Sequence, residues 1–426
     1  MKKTIYIVGI IIVMLVIGMI VVNIINNNKD NQEVQNNEND IIDEDINIES
    51  RPKEEEILNK EIEDKINSMT LREKIGQMLI ISTEKTEYDE ELDALLKEVK
   101  PSGVVLFSYN VTIYDKTVEL ISKMKDSATI PMLIGIDQEG GRVQRIKNIP
   151  DVNVINIPEM LELGKTKDKE LAYDVGRVVA KEIAAFGINL DFAPVLDIFS
   201  NPNNTVIGNR AFGTDAQTVI DMALSFANGM ENEGIIPVYK HFPGHGDTDS
   251  DSHVELPVIT KTKEELLEKE LLPFKEAIEN DAQMIMTAHI ALPSITGDYT
   301  PATLSKTIIN DLLREELGFK GVVSTDAVNM KAIADNYTIE EVCRYSINAG
   351  VDIILMPEDP KATIDTIEKL VTNGTITEDR IDESVKRILT LKYKNKLDEP
   401  KELNKENIGT QESIDIINKI NTASGE

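Results

Sequence analysis

The chain is poor in several chemistries. It has one Cys, no Trp, four His, and 45 Lys and Arg against 75 Asp and Glu in 426 residues. One Cys excludes an intramolecular disulfide framework and any zinc cluster built on Cys. A formal net charge of -30 argues against grip on a nucleic-acid backbone and against a polybasic membrane-surface module, because both need basic surface. Four His leave little scope for an imidazole-rich metal centre. The histidines present lie close together: His241, His245, His253 and His289 fall within 49 residues.

The N-terminus is a separate element. Lys2 and Lys3 precede an apolar run over 5–22, and no charged residue occurs between Lys3 and Lys29. That run is about the length of a bilayer-spanning helix and has no small-x-small cleavage site behind it. It predicts an uncleaved signal-anchor with the lysines inside and the rest of the chain outside, or a secreted chain if the segment is removed. Residues 30–65 then hold 14 acids against four basic residues. Their early part reads as a disordered stalk, and 51–67 as a short charged helix. The expected organisation is a cytoplasmic tip and anchor at 1–28, a stalk at 29–64, one folded domain at 65–397 and a polar tail at 398–426. In that tail, at most one short amphipathic helix is expected, at 413–420.

Folded sequence starts at Thr70, which with Glu73 forms a capping box before LREKIGQML. Short apolar runs then alternate with amphipathic stretches. The strand candidates are 78–81, 104–109, 132–137, 189–195, 235–241, 284–289, 321–326 and 351–356. Helix candidates include 170–186, 263–278, 306–317 and 338–349. Runs this short and apolar on both faces suit covered parallel strands. Eight such units over about 330 residues predict an α/β fold of one (β/α)8 TIM-type barrel.

A barrel places its chemistry at the carboxyl ends of its strands. Those ends carry Asp137, Glu139 and Arg142 after the third strand and Asp197 after the fourth. Lys240 and His241 follow on the fifth, His289 on the sixth and Asp326 on the seventh. The richest stretch, KHFPGHGDTDSDSH at 240–253, has three His and three Asp in 14 residues. Three roles are open to it. It could ligate a metal through His241, His245, Asp247, Asp251 and His253, although the spacing matches no tight zinc helix and no calcium loop. It could do acid–base work, with Asp251 orienting His253 and raising its pKa. Or its side chains could simply pin a long loop, which suits His245 and Asp247.

These residues carry a resemblance. GIDQEGGRVQR (135–145), IGNRAFG (207–213), KHFPGHGDTDSDSH (240–253) and GVVSTDAVNM (321–330) are similar to motifs of glycoside hydrolase family 3, in its NagZ-like β-N-acetylglucosaminidase branch. MTLREKIGQML (69–79) and RIDESVKRILTLK (380–392) fit as well, so the likeness covers roughly 65–397. The resemblance implies a retaining glycosidase that needs neither metal nor cofactor. It makes Asp326 the nucleophile and His253, partnered by Asp251, the acid/base. Asp137, Arg145, Arg210, Lys240 and His241 then hold the sugar, joined by His289. Among relatives the nucleophile motif often has two adjacent acids; here STDAVNM has one. The missing Trp removes a common stacking platform for sugars and leaves Phe and Tyr.

The implied substrate is a terminal β-linked N-acetylglucosamine on peptidoglycan fragments or amino-sugar oligomers, and the implied catalytic domain is monomeric. The rivals are a family 3 β-glucosidase or β-xylosidase, a phosphorolytic enzyme, an inactive glycan-binding surface protein, and a cytoplasmic recycling enzyme. The short sequence after the closing helix argues against the first, whose acid/base Glu usually comes from a second domain.

Overall fold

The structure is a computed structural model and describes residues 46–248 and 256–423. Contacts divide the chain into two units, 1–58 and 59–426. Of the first, the described part is the opening stretch of the Ile46–Ser68 helix. The predicted anchor lies outside the described residues. No helix among those described is long and apolar enough to cross a membrane.

The second unit is the barrel. Its strands are β1 (Leu79–Ser82), β2 (Gly103–Leu106), β3 (Leu133–Ile136), a hairpin of β4 (Gln138–Gly140) and β5 (Val143–Gln144), and β6 (Leu190–Asp191). They continue as β7 (Ile236–Pro237), β8 (Tyr239–Phe242), β9 (Met284–Thr287), β10 (Val322–Ala327) and β11 (Ile353–Leu355). All pairs outside the hairpin are parallel, in the order β7-β6-β3-β2-β1-β11-β10-β9-β8. The two ends of that order, β7 and β8, flank Val238 in one continuous stretch. They are halves of one strand: the first half pairs with β6 and the second with β9. Eight staves therefore make the barrel, each at a predicted run. The barrel strands are buried on both faces over most of their length, which is why most read as continuous apolar runs instead of alternating.

Helix ends follow local chemistry. Thr70, Thr262 and Thr338 each cap a helix whose third residue is Glu, with both reciprocal bonds formed. The helix expected over 263–278 is instead two, Lys263–Glu268 and Leu272–Glu279, with Pro273 in the first turn of the second. A proline there lacks the N–H that continuity requires. The stretch expected as an α-helix over 306–317 is wound as a π-helix over Thr307–Glu316. The helix expected over 51–67 runs Ile46–Ser68, and within the barrel unit it buries Ile62 and Ile66. Beyond residue 397 lies a helix over Gln411–Ala423, longer than the 413–420 expected, with Ile416, Ile417 and Ile420 buried.

Candidate active site

The carboxyl ends of the staves surround a cavity of about 450 Å³. Its walls include Asp137, Glu139, Arg142, Arg145, Arg210, Lys240, His241, His245 and Asp326. Asp137 stands one residue beyond β3, where the chain leaves the barrel and folds back as the β4–β5 hairpin. One Asp137 oxygen lies 3.0 Å from the Lys240 ammonium and the other 3.2 Å from the Arg145 guanidinium. Lys240, on β8, also reaches Glu139 at 2.6 Å. Arg210 ends the turn Gly208–Arg210 and grips Glu139 with two N–H···O bonds of 2.7 Å, the fork geometry that arginine supplies. Arg145 also lies over the Phe107 ring, 5.4 Å from its centroid.

Five charged groups thus form one network, and its electrostatics keep it charged. Burial alone would protonate Glu139, but Arg210 and Lys240 hold its carboxyl far below the usual range. Burial alone would discharge Lys240, but Glu139 and Asp137 raise it. Beneath them, Asp191 on β6 is fully buried. One of its oxygens accepts the Gln138 N–H at 2.9 Å, and the other has no hydrogen-bond partner. Burial pushes this carboxyl up to about 8, so it is protonated at neutral pH.

The second wall is histidine-rich. His241 Nδ1 lies 2.6 Å from buried Asp197, which also accepts the His245 N–H at 2.6 Å. Burial opposes ionisation of Asp197, and the His241 ring outweighs it, so the carboxyl stays below its usual range. His245 is buried, which drives its pKa down to about 4 despite Asp197; it is neutral at pH 7. The loop passes so close to the chain that a Cβ on Gly246 would sit 1.8 Å from the Ile198 carbonyl oxygen, which only glycine permits.

Asp326, near the end of β10, is partly exposed to the cavity. One oxygen accepts the Ala327 N–H at 2.7 Å. Burial works against its ionisation, but the His241 and His289 rings, that N–H and Lys240 outweigh it and hold the carboxyl low. His289 does not line the cavity. It is buried, with Nε2 3.0 Å from the Ala327 carbonyl oxygen and Nδ1 2.9 Å from the Thr303 hydroxyl. A carbonyl only accepts, so Nε2 bears the proton.

The structure therefore brings together Asp326, Asp137, Arg145, Arg210, Lys240 and His241 and sets His289 behind them. Asp251 and His253 lie outside the described residues. No group of three His, Cys, Asp or Glu suited to a metal occurs among the described residues. Two residues of the site were named at strand ends from sequence but given no role. Glu139 neutralises both Arg210 and Lys240, and Asp197 fixes His241. Their signal was acidity at a strand end, which is not distinctive until the partner cations are known.

The family model for the glycosyl hydrolase family 3 N terminal domain matches residues 70–391. The chain belongs to glycoside hydrolase family 3 and is a glycosidase by that membership. It is 36% identical over 291 residues to beta-hexosaminidase A of Pseudoalteromonas piscicida, covering 64% of this chain and 48% of that protein. It thus spans about half the length of that relative. To beta-hexosaminidase LpqI of Mycobacterium tuberculosis it is 31% identical over 333 residues, covering 76% of this chain and 83% of that one. Among solved structures, a glycoside hydrolase family 3 beta-N-acetylglucosaminidase from Paenibacillus sp. str. FPU-7 superposes with a TM-score of 0.80 at 37% identity. That match covers 84% of this chain and 69% of the other.

Proposed function

We propose that the protein is a retaining exo-β-N-acetylglucosaminidase that hydrolyses terminal, non-reducing β-linked N-acetylglucosamine from peptidoglycan fragments or amino-sugar oligomers. The observation that carries this reading is Asp326: an ionised carboxylate on a cavity that is also lined by a charged, hydrogen-bonding network. Names of relatives and of the structural neighbour support the acetamido sugar.

The chemistry follows from the charges. A low pKa keeps Asp326 as the anion that attack requires. Its oxygen bonds to the anomeric carbon as the bond from that carbon to the leaving oxygen breaks. His253, oriented by Asp251, gives its proton to that leaving oxygen. The neutral imidazole then takes a proton from water, whose oxygen displaces Asp326. An imidazole starts near pKa 6.5, so it serves both steps near neutrality without the upward shift that a carboxylic acid needs. Asp137, Arg145, Arg210, Lys240 and His241 hold the sugar hydroxyls. The ion pairs that neutralise the cations also fix their positions before substrate arrives, which is the preorganisation that catalysis exploits. The apolar run over 5–22 supports an anchored enzyme with its barrel outside.

The test compares chromogenic β-N-acetylglucosaminide and β-glucoside with the full chain, with and without inorganic phosphate, on intact and broken cells. Clear preference for the acetamido sugar, without dependence on phosphate and on intact cells, is expected. Equal rates on both sugars would remove the specificity, a sugar 1-phosphate product would replace hydrolysis, and activity only after breakage would place the barrel inside.

A further inference from the structure

The family match ends at residue 391, yet the chain after it is folded. The Gln411–Ala423 helix packs on the helices Met160–Thr166 and Lys169–Ala185. At their junction Glu182 is buried, with no cation paired to it among the described residues. It is bonded to two backbone amides. The Gly409 N–H lies 3.0 Å from one oxygen, and the Ile155 N–H lies 3.1 and 3.2 Å from the two. Gly409 has φ +66°, and a Cβ there would stand 2.2 Å from the Asn153 carbonyl oxygen. Four residues earlier, Lys405 reaches Asp151 at 3.3 Å and lies 4.7 Å from the Tyr114 ring centroid. The C-terminal segment therefore meets the stretch 151–155 through Asp151, through Asn153 and, by way of Glu182, through Ile155.

That stretch leads directly to the cavity. Two residues on, Ile157 donates its N–H to the Gln144 side chain at 3.0 Å and accepts from the same side chain at 3.0 Å. The Ile157 carbonyl also accepts the Gly141 N–H at 3.0 Å. Gly141 and Gln144 belong to the β4–β5 hairpin, which carries Glu139 and leads into Arg145. This hairpin pairs only with itself and takes no part in the barrel sheet. On the barrel side it is held by the Gln138 bond to Asp191 and the Glu139 ion pairs, and from behind by the stretch that bonds Gly141 and Gln144.

We propose that residues 398–423 are a clamp on the sugar pocket: through Glu182 and Gly409 they fix the stretch 151–157, which sets the hairpin bearing Glu139 and Arg145. This rests on the reading of that hairpin as a sugar-holding wall. Glu182 and Gly409 are positioning residues and touch no substrate. The expected effect falls on substrate binding, because an ångström of misplacement in a binding wall is enough to cost about tenfold to a hundredfold.

The experiment uses Gly409→Val and the milder Lys405→Ala in the full chain. Both are assayed with 4-nitrophenyl β-N-acetylglucosaminide at a temperature where circular dichroism shows them fully folded. Gly409→Val is expected to raise KM about tenfold with a smaller change in kcat, and Lys405→Ala to raise it a few-fold. Amide hydrogen exchange over 141–157 should accelerate in both. A lowered melting temperature with unchanged KM and unchanged exchange over 141–157 in both variants would mean that the segment only stabilises the barrel, and overturns the clamp. Wild-type protein that cleaves no N-acetylglucosaminide would refute the functional reading alone, since the exchange experiment still tests the clamp.

Discussion

Two buried carboxylates, one toward each end of the staves, are held by the same kind of partners and put to different use. At the base, Asp352 just before β11 is fully buried and meets Arg314 at 2.6 Å and Arg387 at 3.0 Å. It also takes the Ser384 hydroxyl at 2.7 Å and the Val323 N–H at 2.9 Å. At the carboxyl ends, Glu139 meets Arg210 and Lys240. Burial would protonate either acid, and in each the cations prevail and hold it ionised. The difference lies in what the network leaves over. The groups around Asp352 are spent on one another and on carbonyls of the fold. The Glu139 network continues through Lys240 to Asp137 and Arg145, which open onto the cavity facing Asp326. A closed charge network stabilises a junction, whereas one with spare hydrogen-bonding capacity at a cavity has the chemistry the proposed sugar-binding role needs.

The largest expected effect lies on the open side. Asp326→Asn should lower kcat/KM by at least about a thousandfold on every substrate, because no other group replaces the bond it forms. The fold should stay intact, since the Ala327 N–H still finds an acceptor oxygen in the amide. His253→Ala should cost about 10²–10⁴ with poor leaving groups, and far less with 4-nitrophenol, which needs little protonation. A variant at 326 with near wild-type turnover would end the comparison, because the cavity would then lack its nucleophile.

The next expectation separates the two networks. Asp352→Ala strands Arg314 and Arg387 and should cost about 3–5 kcal/mol of stability, read as a drop in denaturation midpoint. In the protein that remains folded, KM should not change. Glu139→Ala strands Arg210 and leaves Lys240 with Asp137 alone, so it should lose stability and raise KM together. If both variants shift KM equally, the distinction between closed and open networks is wrong.

How much of this was legible beforehand depended on the kind of signal. All eight staves were readable because covered parallel strands are short apolar runs bounded by turns. The capping box at Thr70 was readable because it rests on residues three apart. What was not legible depends on distant partners. Glu139 and Asp197 are acids at strand ends like several others, and only the approach of Arg210, Lys240 and His241 gives them a role. The π-winding of Thr307–Glu316 leaves no mark in a hydrophobic pattern that an α-helix also fits. The packing of the last helix has only three isoleucines at helical spacing, within an otherwise polar tail, as its mark.

The smallest effect concerns a third buried acid, Asp191, which has no cation bonded to it and so contrasts with both networks. Burial raises it to about 8, well above the value near 3.9 of an unfolded chain. The folded protein therefore binds a proton there that the unfolded chain releases. The stability it contributes is fully present below about pH 4, is lost as pH rises through the window, and is gone above about 8. Asp191→Asn removes this titration while an amide oxygen still accepts the Gln138 N–H. The variant should match wild type near pH 5 within about a kcal/mol or two and become more stable by a few kcal/mol at pH 8, with no further gain at pH 9. Glu182, raised by burial to about 7, slopes the same way in both proteins. His245, lowered to about 4, slopes the opposite way, since its stability is present above about pH 6.5 and lost on acidification. Both cancel in the difference between variant and wild type. Melting temperatures of the pair from pH 5 to 9 decide the matter: a constant gap would mean that Asp191 is ionised throughout, drawn into the Lys240 network after all.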